Sequence, residues 1–308
     1  MIKDLKDTMN AYGVYLLKSV KKFVASNGKP YVLVSLQDNS GTIDAKKWDV
    51  SNNEMNLFVP GNVVRVDGTA SLYRDKLQIT IEAVYAIDIN EIDVSSLVPD
   101  SPIAVDDLIS KFNFYKDSVE DKDYKKLLDI VFEKYYKDFI NYPAAVSNHH
   151  EFHHGLIYHT VSMCDYAKAI CSVNASLNYD LLITGCLLHD IGKTIELSGV
   201  VATTYTEEGN LLGHISIGFG LVKEICDQNN IDKEKSILIE HMILSHHGER
   251  EFGAPVLPCF KEAVVLSYID RLDSEMMEID KAYEKTNDGE FTERIFPLDN
   301  QIFYKNKK

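Results

Sequence analysis

Six residues in this 308-residue chain have side chains suited to holding divalent metal ions: His159, His189, Asp190, His214, His246 and Asp270. His247 adjoins His246, and Lys193 follows Asp190 by three residues. Imidazoles and carboxylates without cysteine suit a borderline-to-hard ion such as manganese, iron, nickel, cobalt or zinc, and argue against a structural zinc site. Neighbouring helical residues point about 100° apart, so His189 and Asp190 can flank one metal, or Asp190 can bridge two. Lys193 shares the helix face of Asp190 and could offer its cation to a phosphate there. Taken singly, each residue has a plainer reading. His214 could be a hydrogen-bonded histidine, Asp270 a salt-bridged helix residue, and His246-His247 a helix end stabilised by its dipole before the Gly248 stop. Taken together they point to one site, because buried polar groups need partners and these lie on apolar helical segments.

The remaining composition bounds what surrounds that site. The net charge of −15 disfavours a polyanion, but it is unevenly spread. Residues 1–98 carry 11 Lys/Arg against 12 Asp/Glu, and the rest carry 21 against 35. Between Tyr12 and Gln37 stand Lys18, Lys21, Lys22 and Lys29 with no acid among them. A near-neutral front part with a local basic patch can therefore still meet nucleic acid. The five cysteines form no CxxC pair and read as reduced core residues. The charged start lacks a signal-peptide core, and no run of about 18 apolar residues occurs, so a cytoplasmic protein without membrane contact is expected.

Two kinds of element must position these residues. Residues 12–89 read as five short strands: 12–17 with 22–24, 31–36, 43–48, 63–70 and 77–81. Ser26-Asn27-Gly28-Lys29 carries a hairpin signal, and a polar connector at 51–59 separates strands three and four. That pattern predicts a small barrel of the oligonucleotide/oligosaccharide-binding (OB) type. Residues 91–102 read as an acidic, Ser- and Pro-containing linker. Helices are predicted near 106–115, 124–140, 155–173, 179–192, 213–229, 234–246 and 259–287, with a β-branched hairpin or loop at 196–210. The expected organisation is α+β and multidomain: a barrel over 1–90, a linker, an all-α domain over 103–290 and an aromatic-rich tail over 291–308.

The order His159, His189-Asp190, Asp270 resembles the H…HD…D signature of the HD-domain metal-dependent phosphohydrolases, and His214 with His246 resembles the extension of its binuclear members. The resemblance continues across nearly the whole chain. Ala25-Ser26-Asn27-Gly28-Lys29-Pro30, Ala45-Lys46-Lys47-Trp48-Asp49, Asn148-His149-His150-Glu151-Phe152, Glu208-Gly209-Asn210-Leu211-Leu212-Gly213-His214 and Leu244-Ser245-His246-His247-Gly248 are similar to the YhaM-type 3′→5′ exoribonucleases of Gram-positive bacteria. Where that pattern has Phe, two small or apolar residues and Gly, this chain has Phe152-His153-His154-Gly155, whose histidines read as incidental. His150 and Glu151 fit the pattern, with a role in substrate contact or in anchoring the helix start left open.

The resemblance implies metal-assisted hydrolysis of single-stranded RNA from the 3′ end to 5′-mononucleotides, with single-stranded DNA as a second candidate polymer. Two divalent ions are implied, manganese first. One would be held by His159, His189, Asp190 and Asp270, the other by Asp190, His214 and His246. Lys193 would add an electrostatic clamp, and His247 would serve as a ligand or, preferably, in proton transfer. On the barrel, Tyr31, Trp48 and Tyr73 are candidate base stackers. Lys18, Lys22, Lys46, Lys47, Arg74 and Lys76 are candidate phosphate contacts, with Trp48 as a core residue the plainer reading. Two alternatives remain. One is a phosphohydrolase of nucleotides or cyclic dinucleotides with the barrel as a regulatory or oligomerising module. The other is a nucleic-acid binder with an inactive helical domain, against which the intact ligand set argues. The aromatic tail needs cover, from its own domain or from a homo-oligomer.

Overall fold

The computed structural model describes residues 1–74, 76–87, 92, 96–146, 152–201 and 203–307. His150, Glu151 and much of the expected linker lie outside the described residues. The chain divides into two compact units, Met1–Asp100 with Gly199–Thr203, and Ser101–Ser198 with Thr204–Lys308.

The first unit is built on five strands: β1 (Gly13–Val24), β2 (Pro30–Asp38), β3 (Gly41–Trp48), β4 (Val63–Tyr73) and β5 (Lys76–Ala86). They close in the order β1-β2-β3-β5-β4, with β3 and β5 parallel and the other pairs antiparallel. This is the expected five-stranded OB-type barrel. Val32, Val34, Leu36, Val66 and Ile79 fill its interior, as period-2 alternation requires. The connector between β3 and β4 holds the short helix α1 (Asn52–Met55), started by a capping box between Ser51 and Glu54. Gly68 leaves no room for a side chain, since a Cβ there would stand 2.4 Å from the Thr80 carbonyl oxygen; the β4–β5 register shifts at that point.

The second unit is helical: α2 (Val105–Ser118), α3 (Lys122–Asn141), α4 (Gly155–Val173), α5 (Tyr179–Leu188), α6 (Lys193–Glu196), α7 (Glu207–Gln228), α8 (Lys233–Ser245) and α9 (Lys261–Tyr283). Side-chain caps from Asp121, Asn178, Thr206 and Asp232 start α3, α5, α7 and α8. A continuous apolar core, with Phe112, Phe132, Phe139, Leu156, Leu182, Leu188, Ile243 and Leu266 among its members, holds the helices together. The helix expected over 179–192 ends sooner. Leu188 is its last residue, His189 caps it, and Asp190–Gly192 turn into α6. The 196–210 segment includes an antiparallel bridge between Leu197 and Tyr205.

Two glycines set the approach of these elements. A Cβ at Gly192 would lie 2.0 Å from the His214 carbonyl oxygen, so only glycine lets the α6 turn press against α7. Gly213, at φ 71°, breaks α7 directly before His214. The tail folds back on its own unit: Phe291 pairs with Tyr304 and Ile295 with Gln301, and Tyr283 near the end of α9 donates to the Tyr304 carbonyl. Among the described residues no helix is long and apolar enough to cross a membrane.

Candidate functional site

All six proposed ligands meet in the helical unit. α4 supplies His159, the α5 end and following turn supply His189 and Asp190, α7 supplies His214, the α8 end supplies His246, and α9 supplies Asp270. Asp190 lies between two groups. Its Oδ2 is 3.3 Å from His189 Nε2 and 3.8 Å from His159 Nε2, while Oδ1 is 3.5 Å from His214 Nε2 and 3.7 Å from His246 Nε2. Asp270 joins the first group, with Oδ1 3.3 Å from His159 Nε2. His247 stands beside the second group, its ring centroid 4.4 Å from that of His246 and 5.3 Å from that of His214.

Every one of these histidines is anchored through Nδ1. His189 donates to the Cys186 carbonyl at 2.8 Å, His246 to Ile243 at 2.7 Å and His247 to Phe252 at 2.7 Å. His159 Nδ1 is 2.7 Å from Asp273 Oδ2, and His214 Nδ1 is 3.2 Å from Glu196 Oε1. Carbonyls and carboxylates only accept, so Nδ1 carries a proton, and His159, His189, His214 and His246 turn Nε2 toward Asp190. This is the arrangement in which outer partners orient metal-ligating histidines. Glu196 also accepts from the His214 backbone N–H at 2.9 Å, capping the helix that resumes after Gly213. Asp273 additionally accepts from Ser162.

The site fits cations on two counts. Asp190 Oδ1, His214 Nε2 and His246 Nε2 are buried and make no hydrogen bond, although they converge. His159 Nε2 and His189 Nε2, both acceptors by the tautomer argument, face each other at 3.3 Å. Facing lone pairs and buried carboxylates need positive charge between them. The sets His159/His189/Asp190 and His214/His246/His247 each offer ligand atoms close enough to share an ion. Without an ion the same field draws a proton. Burial works against a charge on His159, but Asp270 and Asp273 outweigh it and raise its pKa to about 10. Burial likewise opposes ionisation of Asp190, yet Lys193 and the histidines hold its carboxyl well below the usual range.

Lys193 pairs with Asp190 Oδ2 at 2.7 Å, so the shared helix face holds although a turn separates the two residues. His153 and His154 stack on each other, and His154 meets the Ile140 carbonyl at 2.8 Å, away from the six ligands. Asp273 and Glu196 were not among the sequence-derived candidates. Their spacing, three residues after Asp270 and three after Lys193, was the available signal.

On the barrel, Phe23, Tyr31 and Trp48 sit opposite one another across β1, β2 and β3. Their ring centroids are 5.3 Å apart for Phe23–Tyr31 and 4.7 Å for Tyr31–Trp48. Trp48 is 50% exposed and so is not a core residue. Lys46 lies over both Trp48 and Tyr73, and Arg74 over Tyr73. Phe23 is absent from the sequence-derived stackers: the hairpin signal at 26–29 joins β1 to β2 but does not by itself give the register that sets Phe23 opposite Tyr31. Lys47 is a correction: strand alternation turns it inward, where it bonds the Glu82 carbonyl and pairs with Glu54. Lys22 is exposed, but it alternates with Phe23 and reaches the Met55 carbonyl at 3.3 Å instead of joining the aromatic row.

Residues 156–275 match the family described as HD domain, and residues 16–87 match the OB-fold nucleic acid binding domain. Among solved structures, the chain is similar to the second OB-fold domain of replication protein A from Methanococcus maripaludis at 19% identity and TM-score 0.24, over 29% of this chain and 93% of that one. It is similar to the L. monocytogenes phosphodiesterase PgpH HD domain at 18% identity and TM-score 0.30, over 49% of this chain and 73% of that one. The molecule is thus an OB-type barrel followed by a helical HD domain, which marks a metal-dependent phosphohydrolase joined to a nucleic-acid-binding module.

Two outcomes follow from the geometry. Asp273→Asn should weaken Mn²⁺ binding about 10–100-fold by calorimetry, since it loosens His159; unchanged affinity would show that Asp273 orients nothing. Because His159 has its pKa raised to about 10, it holds a proton at pH 8 that an ion at Nε2 must expel. Mn²⁺ binding at pH 8 should therefore release about one proton and strengthen as pH rises, read from calorimetry in buffers of different ionisation enthalpy. Proton-neutral binding would show that His159 carries no extra proton at that pH.

Proposed function

We propose that this protein is a metal-dependent 3′→5′ exoribonuclease that hydrolyses single-stranded RNA to 5′-mononucleotides. The observation that carries the reading is Asp190, whose two oxygens face two separate groups of imidazole nitrogens. His159, His189, Asp190 and Asp270 would hold one ion, and Asp190, His214 and His246 the other. Divalent ions there would neutralise phosphoryl oxygens and make a water acidic enough to attack phosphorus.

The chain's own residues do the positioning. Asp273 and Glu196 fix the rings of His159 and His214. Burial opposes the charge on Lys193, but Asp190 keeps it a cation, and it lines the same cavity as His159 and Asp270, where a phosphate oxygen can meet it. Burial lowers the pKa of His247, and its Nδ1 proton is committed to Phe252. It therefore presents a lone pair, which favours a ligand or base over a donor to the leaving oxygen. The Phe23–Tyr31–Trp48 row, exposed at Phe23 and Trp48 and half-buried at Tyr31, suits with Lys46 the stacked bases of a single strand. The polymer, the 3′→5′ direction and the mononucleotide product rest on the sequence resemblance.

Incubation with Mn²⁺ and 5′-end-labelled single-stranded RNA should give a ladder shortening from the 3′ end, while turnover of small nucleotides alone would favour the nucleotide-hydrolase alternative. Asp190→Ala should abolish hydrolysis with the helical circular dichroism retained; near-normal activity would sink the two-ion assignment. Tyr31→Ala with Trp48→Ala should weaken long-RNA binding by about 1–3 kcal/mol per stacked base, more than it slows a short model diester. Equal losses would leave the barrel without a role in RNA capture.

A further inference from the structure

We propose that the helical unit carries a nucleobase subsite of its own, a lobe walled by Phe252, Leu257, Val264 and Tyr268 beside the metal cluster. The proposal rests on the phosphodiester-hydrolase reading and names where that substrate's terminal nucleoside sits.

A cavity of about 300 Å³ reaches from His159, Asp190, Lys193 and Asp270 to Arg271. A second, of about 310 Å³, adjoins it and shares His247, Phe252, Ser267 and Arg271 as walls. Both volumes lie at the small end of the range for ligand pockets. The ridge between them is Arg271, whose guanidinium lies 5.9 Å from the Phe252 ring centre and is held by Glu275 at 2.6 Å and Glu249 at 3.4 Å. α9 builds both lobes. Ser267, Asp270, Arg271 and Ser274 face the charged one, and Val264, Ser267, Tyr268 and Arg271 face the apolar one. These are adjacent stripes at helical spacing. Gly248, at φ 74°, carries the chain from His247 over Ser267, where a Cβ would stand 3.3 Å from the Ser267 Cβ.

The second lobe has polar walls in His247, Glu249, Ser267 and Arg271 and an open apolar side, where Tyr268 is 69% exposed, Phe252 54% and Leu257 50%. A nucleotide has the matching form, an anion joined through a sugar to a flat ring with apolar faces. The phosphate goes to the metal lobe, the ridge cation lies along the join, and the base rests against Tyr268, Phe252 and Leu257.

The test is calorimetric binding of adenosine 5′-monophosphate and of ribose 5-phosphate to the full chain with Mn²⁺. Wild type should bind the nucleotide about tenfold tighter, and Tyr268→Ala should narrow the difference to about twofold. The preference for thymidine 5′-(p-nitrophenyl phosphate) over methyl p-nitrophenyl phosphate, as a ratio of kcat/KM, should fall in step. An undiminished difference in both Tyr268→Ala and Leu257→Asp overturns the subsite. So does a loss of subunit association in Tyr268→Ala with the nucleotide preference intact, which would make the lobe an interface. A wild type that shortens RNA but shows no preference for the base sinks the subsite alone. A wild type that cleaves no phosphodiester sinks the enzymatic reading and the subsite with it.

Discussion

The helical domain is organised around one unfavourable placement, the burial of a carboxylate that has histidine nitrogens against both of its oxygens. Asp190 is 2% exposed and lies just past the end of a helix whose last residues, Gly185–Leu188, are apolar. A buried ion costs several kcal/mol unless charge and hydrogen bonds surround it. Lys193 supplies one partner from the next turn, and His159, His189, His214 and His246 close the remaining directions. Each ring must then be held at the correct rotation, and that need explains residues that otherwise look misplaced. Asp273 and Glu196 are buried carboxylates whose bonds run to Nδ1 atoms, and Gly192 and Gly213 let α7 bring His214 close enough to share Glu196.

The barrel solves a different problem with the same economy of backbone. Its interior is filled by β-branched and leucine side chains, so the outer face of β1–β3 is free to carry aromatic rings. Cross-strand aromatic pairs contribute only about 0.2–1 kcal/mol each, too little to explain an exposed tryptophan on stability grounds. Under the proposed function the row would serve as a surface for flat partners, with Lys46 over Trp48 and Tyr73.

Much of this was legible in the sequence. Strand and helix placement followed from period 2 and period 3.6, and the six residues proposed as ligands, which the fold brings together, followed from residue types recurring on apolar segments. What escaped had no mark beyond its spacing from a residue already singled out. Asp273 reads as one more acid on a helix rich in them until α4 is known to pack beside it. Glu196 sits on a four-residue helix that no periodicity reveals, and its role depends on the break at Gly213. Lys47 looked like a phosphate contact because the sequence shows two adjacent lysines and not their alternation; one faces rings, the other a glutamate. His189 and Asp190 were read on one helix, whereas the helix ends between Leu188 and Asp190, which is how both side chains reach the same space.

The anchoring of every site histidine through Nδ1 also bears on which ion settles there. Rings already held in place cannot adjust to the size of an occupant. Selectivity among divalent ions comes from geometry and ligand type as well as from raw affinity, in whose general order zinc and copper outcompete manganese. A fixed nitrogen-and-oxygen set would therefore accept the ions whose preferred geometry its lone pairs already match and penalise the rest, with metal supply choosing among those accepted.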